Sequence, residues 1–286
     1  MYGAILGDII GSPYEFNRGD KTKDFKLFDE KRYPTYTDDS VMTVAIAKGI
    51  MEAGTDASEE DMKEAFIRYM VKYGLIYAHG HYGNMFSMWL RSFDHKPYGS
   101  YGNGSAMRVS SIGWLYDSLE DTARVARWSA EVTHNHPKGI KGAEAVATAI
   151  FLARNGYSKN VIRKWIEETY GYDLSRTCDE IRPTYRMDET CQGSCPEAII
   201  SFLEGKDFED VIRNAVSLGG DTDTVACMAG SIAEAYYGVP KKLKSKSELI
   251  LPVPLVDILK AFLVFSDYKS KCKQPFKRRE ELINEK

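Results

Sequence analysis

Residues 219–238 read GGDTDTVACMAGSIAEAYYG. After Asp223, the small residues Ala226, Ala229, Gly230 and Ala233 recur at three- and four-residue steps. That period belongs to one helix face, and a face without bulk lets another helix come very close. A helix packed so closely has its start near the centre of the molecule. Asp221 and Asp223 would then be buried, and a buried carboxylate needs a partner or a cation. Gly219-Gly220 ahead of them lets the backbone approach a second element or a ligand.

A similar cluster, Thr37-Asp38-Asp39-Ser40, stands far away near the start of the chain. Both clusters open helices, where Thr or Asp ordinarily caps free backbone N–H groups, and capping is the simpler reading of either cluster alone. Read together, four aspartates and several hydroxyls make an all-oxygen ligand set suited to hard cations such as Mg²⁺ or Mn²⁺. Converging carboxylates would repel one another unless divalent cations cancelled the charge. The clusters therefore either lie apart or share metal.

Helical periodicity dominates elsewhere. Val41, Val44, Ala45 and Ile50 continue a stripe after the first cluster, and Ser58-Glu-Glu-Asp61 opens a helix that ends at Gly74. Ser118 opens another running toward Val132, and the Ala-rich stretch 138–153 stops at Asn155-Gly156. Further helices are expected at 159–169, 196–204, 207–218, 223–237 and 253–266, with an irregular connection over 171–192. Alternation of the strand type is almost absent, so the predicted fold is all-α, a compact multi-helix orthogonal bundle. No linker composition divides the chain. One domain over 1–268, followed by a charged tail at 269–286, is expected.

The 286 residues carry a formal charge of −3, which argues against a general nucleic-acid binder. The first residues lack a signal-peptide pattern and no apolar run reaches membrane-spanning length, so a soluble, cytoplasmic monomer is expected. Five irregularly spaced cysteines read as reduced thiols. His79-x-His81 and His134-x-His136 suggest zinc, but their spacing suits neither a helix face nor a predicted strand, so surface or substrate-contacting histidine is the better reading. Between the clusters, Gly99-Ser-Tyr-Gly-Asn103-Gly104 could cradle a diphosphate with its backbone amides. Glu15, after the turn Ser12-Pro13-Tyr14, is a candidate proton-transfer group or ligand.

Taken in order, GAILGDIIGSPYEF (3–16), YTDDSVMTVA (36–45), GSYGNGSAMRV (99–109), EVTHNHPKGIKGAEAV (131–146) and the opening stretch resemble the successive blocks of the ADP-ribosylglycohydrolase family. The resemblance implies an all-helical domain holding two Mg²⁺ or Mn²⁺ ions at the base of an ADP-ribose cleft. It implies Thr37, Asp38 and Asp39 as ligands from one side and Asp221, Asp223 and Thr224 from the other. Glu15, Asp38 and Asp39 would then be catalytic. Gly99, Ser100, Tyr101, Gly102, Asn103, Gly104 and His134 would bind the nucleotide. The implied partner is an ADP-ribosylated protein or a small ADP-ribose conjugate. Branches acting on ADP-ribosyl-arginine often place an Asp before a Gly at the segment resembling His81-Tyr82-Gly83-Asn84, and no Asp stands here. That brings the chain nearer the branch cleaving serine-linked, O-acetyl- or poly-ADP-ribose. An arginine-directed hydrolase, a non-catalytic relative and a two-metal phosphoesterase are the competing expectations.

Overall fold

Glycine at every fourth position sets the centre of the molecule. In the computed structural model, which describes residues 1–17, 21–77 and 81–271, helix α1 (Tyr2–Gly11) presents Gly3, Gly7 and Gly11 to helix α12 (Thr222–Tyr237). A Cβ on Gly7 would fall inside the carbonyl group of Ala226, one on Gly3 would strike the carbonyl of Gly230, and one on Gly11 would lie 2.5 Å from the Thr222 oxygen. The small face expected on α12 thus finds a matching small face on α1. All ten residues of α1 and the first twelve of α12 are buried.

Around this pair stand α2 (Asp38–Ala53), α3 (Glu59–Ile76), α4 (Asn84–Leu90), α5 (Ser110–Leu115), α6 (Leu119–Glu131), α7 (Pro137–Arg154), α8 (Lys159–Tyr170), α9 (Cys178–Ile181), α10 (Cys191–Glu204), α11 (Phe208–Ser217), α13 (Lys241–Ile250) and α14 (Val253–Lys271). The architecture is all-α. Among the described residues the only β pairing is an isolated antiparallel bridge between Gly102 and Thr190. Helices α7, α10 and α11 pack on α12, while α2 packs on α1, α3 and α14. One apolar core runs through these contacts, from Ile5 and Ile9 to Met42, Ile150, Ile199 and Ile232.

Most expected boundaries hold within two residues. Ser58, Ser118 and Asp207 cap α3, α6 and α11 as their sequences imply, each accepting from the amide three residues on. Helix α10 starts five residues before the expected Pro196, because Thr190 accepts from the Gly193 amide and supports an extra turn ahead of the proline. The connection 171–192 contains α9, closed by a capping box between Thr177 and Glu180. Helix α14 continues to Lys271, and the remainder of the charged tail lies outside the described residues, as does His79. No helix among the described residues is long and apolar enough to cross a membrane.

Candidate active site

The close approach of α1 to α12 brings three helix ends together. Thr222 at the start of α12 donates its hydroxyl to the Gly11 carbonyl at the end of α1, 2.9 Å away. One turn earlier on α1, the fully buried Asp8 reaches the start of α2. Its carboxylate accepts from the Thr37 amide (2.9 Å), the Thr37 hydroxyl (2.7 Å), the Ser40 amide (3.1 Å) and the Ser40 hydroxyl. Helix α2 is therefore capped by a side chain of α1. Thr37 and Asp221, which hold the N-cap positions of α2 and α12, make no side-chain cap to their own helices. The capping reading is corrected for the two N-cap positions: Thr37 and Ser40 turn their hydroxyls to Asp8, and the Asp221 carboxylate faces the space between the helix starts.

In that space Thr224 donates to Asp39 Oδ2 at 3.1 Å, while Asp39 Oδ1 is buried with no partner. Asp221 Oδ2 accepts from Asn103 Nδ2 at 2.7 Å, and Asp223 Oδ1 accepts from the Thr224 amide at 2.9 Å. Oxygens of Asp8, Asp39 and Asp223 lie within 4.8 Å of one another, and so do those of Glu15, Asp221 and Asp223. Asp223 belongs to both groups, so the two distant clusters converge. Asp38 stands outside both triads but lines the same cleft.

Negative charge gathers in this space. Among the described residues no Lys or Arg pairs with any of the five aspartates. Burial, then neighbouring carboxylates, pushes Asp38, Asp39 and Asp223 well above the usual range. Burial also raises Asp221, and it raises Asp8 to about 6 against the opposing hydrogen bonds from Ser40 and Thr37. A buried carboxylate oxygen without a hydrogen bond, inside an oxygen-rich cluster whose aspartates no described Lys or Arg neutralises, fits a hard divalent cation. Among the described residues His81, His134 and His136 join no group of converging ligand atoms, and His79 lies outside the described residues. Asp8 has both oxygens occupied by hydrogen bonds and acts as the cap that sets α2, whereas Asp39, Asp221, Asp223 and Glu15 are disposed to hold cations.

Above these acids opens a cleft of about 430 Å³. Glu15 enters it because the chain kinks there: Phe16 takes a left-handed conformation (φ 61°) and its amide donates to the Gly220 carbonyl at 3.2 Å. Ser100, Gly102, Asn103 and Gly104 line a second wall, and His81, Gly83, Asn84 and Phe86 a third. Gly99 and Tyr101 are not in the lining; Tyr101 is 48% exposed with its ring against His136. The amides of Gly99, Gly102 and Asn103 are already bonded to Asn135 Oδ1, Ser100 Oγ and the Glu189 carbonyl. The loop is therefore pinned by the protein, and its cradle is smaller than the glycine pattern suggests. His134 is buried at the cleft edge and His136 is a helix cap, its ring accepting from the Lys138 amide.

Two residues of the site escape sequence reasoning. Asp8 was visible as the one charge in an otherwise apolar helix, a pattern that asks for a buried partner. Arg108, fully buried beside the cleft, had no distinguishing local signal.

Comparison with known proteins gives the family of the chain. The profile described as ADP-ribosylglycohydrolase matches residues 1–255. ADP-ribosylhydrolase ARH3 of Xenopus tropicalis is 30% identical over 318 residues, covering 87% of this chain and 89% of that protein. The Homo sapiens protein of the same name is 30% identical over 311 residues and covers 84% of each chain. ADP-ribosylarginine hydrolase Tri1 of Pseudomonas putida is 24% identical over 276 residues, covering 84% and 70%. A solved structure described as an ADP-ribosylglycohydrolase-related protein complex superposes with a TM-score of 0.64 at 23% identity, over 87% of this chain and 93% of that one, which is a likeness of fold.

Proposed function

The chain belongs to the ADP-ribosylglycohydrolase family, and is by that membership a glycohydrolase; from this premise we propose that it cleaves the ribosyl C1″ bond of an O-linked ADP-ribose conjugate in a binuclear, Mg²⁺- or Mn²⁺-dependent reaction. The observation that supports the metal reading is the convergence of Asp39, Asp223 and Asp221 from two helix starts, with Asp39 Oδ1 buried and without a hydrogen-bond partner between them.

Thr37, Asp38 and Asp39 from α2, Asp221, Asp223 and Thr224 from α12, and Glu15 would hold the cations. When bound, the cations supply charge neutralisation and Lewis acidity toward the ribose diol and water. The residues themselves account for the rest. Asn103 orients Asp221 and Thr224 orients Asp39, so the acidic floor is fixed before substrate arrives. Breaking the C1″ bond builds positive charge on the ribose, and this anionic floor stabilises it. Glu15, at the border between floor and cleft, moves the proton between water and the leaving group. Ser100, Gly102, Asn103, Gly104 and His134 hold the nucleotide.

O-linkage is supported by Tyr82 standing where arginine-directed branches often carry an Asp, and by the greater identity to ADP-ribosylhydrolase ARH3 than to the ADP-ribosylarginine hydrolase. The test incubates the protein and Mg²⁺ with serine-linked and arginine-linked ADP-ribosyl peptides. Release of ADP-ribose from the serine peptide is expected; exclusive cleavage of the arginine peptide overturns the linkage, and phosphate release without ADP-ribose overturns the reaction class.

A further inference from the structure

Arg108 is 1% exposed, and among the described residues no carboxylate pairs with it. Its Nη2 donates to the Ser129 carbonyl at 2.6 Å and to Thr133 Oγ1 at 2.8 Å, and its Nε is buried without a partner. A guanidinium has donors only, so Thr133 Oγ1 must accept in that bond. Thr133 is itself fully buried, and among the described residues its hydroxyl proton has one hydrogen-bond acceptor, His134 Nδ1 at 2.7 Å. Were Nδ1 protonated, two N–H groups would point at the same oxygen and the threonine proton would be orphaned. Nδ1 therefore carries no proton, and a neutral imidazole then carries it on Nε2. Neutrality of the ring agrees with its surroundings, because burial, then the positive Arg108, holds His134 well below its ordinary range.

The free Nε2 is kept open by glycine. A Cβ at Gly104 would lie 3.2 Å from it, tighter than an ordinary contact, whereas one at Gly102 would meet it at an ordinary 3.5 Å. Tyr98 closes the other face of the ring, its centroid 5.7 Å from that of the imidazole. We infer that Arg108 and Thr133 are positioning residues that fix His134 as a neutral Nε2–H donor aimed, over Gly102 and Gly104, at an acceptor oxygen of the bound nucleotide. The identity of that ligand rests on the ADP-ribose reading above; the tautomer does not.

The experiment records two-bond ¹H–¹⁵N spectra of the full chain with ¹⁵N-labelled histidine, without ligand, and measures ADP-ribose binding to wild type, Thr133→Val and Thr133→Ser. A pyridine-type Nδ1 and a pyrrole-type Nε2 at His134 are expected across about pH 6 to 8. Thr133→Val should bind ADP-ribose about 10-fold more weakly and Thr133→Ser within about twofold of wild type, with circular dichroism showing both folded. A proton on Nδ1, or undiminished binding by folded Thr133→Val, overturns the inference. Wild type that shows the expected tautomer but binds no ADP-ribose supports the relay and overturns the functional reading instead.

Discussion

Asp223 is the carboxylate shared by both acidic triads, and burial, then its carboxylate neighbours, makes it costly to ionise. Its replacement by Asn keeps the oxygen that accepts from the Thr224 amide while removing one negative charge. Without divalent cations, Asp223→Asn should be more stable than wild type at pH 8 by about 1–3 kcal/mol, yet its turnover with Mg²⁺ should fall by more than about 100-fold. Chemical denaturation in chelator and an ADP-ribose release assay measure the two effects; a less stable or fully active variant contradicts the assignment.

The sign of the pH dependence follows from the same carboxyls. Asp8, Asp38, Asp39, Asp221 and Asp223 all titrate above their unfolded values, so the folded chain binds these protons more readily than the unfolded one. Their contribution favours folding below the unfolded value of about 4. It is lost as pH rises through the folded values, about 6 for Asp8. The melting-temperature advantage of Asp223→Asn over wild type in chelator should therefore widen as pH rises, and saturating Mg²⁺ should abolish it. A gap that narrows with rising pH contradicts this account.

At the scale of elements, the active site depends on how near α1 lies to α12. Gly7→Ala places a methyl group against the Ala226 carbonyl and forces the helices apart, carrying the adjacent Asp8 off the start of α2. A loss of at least about 1–3 kcal/mol in denaturation free energy is expected. Activity should fall with it even at temperatures where the variant remains folded. The small face of α12 was readable at three- and four-residue steps, and the glycines of α1 carry the complementary signal at i, i+4 and i+8. What the pattern of α12 could not say is which helix it meets. Helix α13 was illegible for another reason: only Ser247 is buried along it, so no apolar stripe marks it. Helix α4 spans too few residues to establish a period. The Asp8 cap was hidden because it joins residues 29 and 32 positions apart, a pairing that tertiary packing alone creates.

For the whole molecule, α12 contacts α1, α7, α10 and α11, so neither end of the chain has a core of its own. The chain should unfold in one calorimetric transition whose calorimetric and van't Hoff enthalpies agree; two separated transitions would break the single-domain reading. The same architecture explains why the two clusters, whose nearest aspartates Asp39 and Asp221 stand 182 positions apart in the chain, form one site: both helix starts point at the end of α1. Direct proof lies in the number of cations bound. Equilibrium dialysis with Mn²⁺, followed by electron paramagnetic resonance of free and bound metal, should give two Mn²⁺ per chain in wild type and fewer in Asp223→Asn. Wild type that binds none, or binds as many as Asp223→Asn, would contradict the binuclear site.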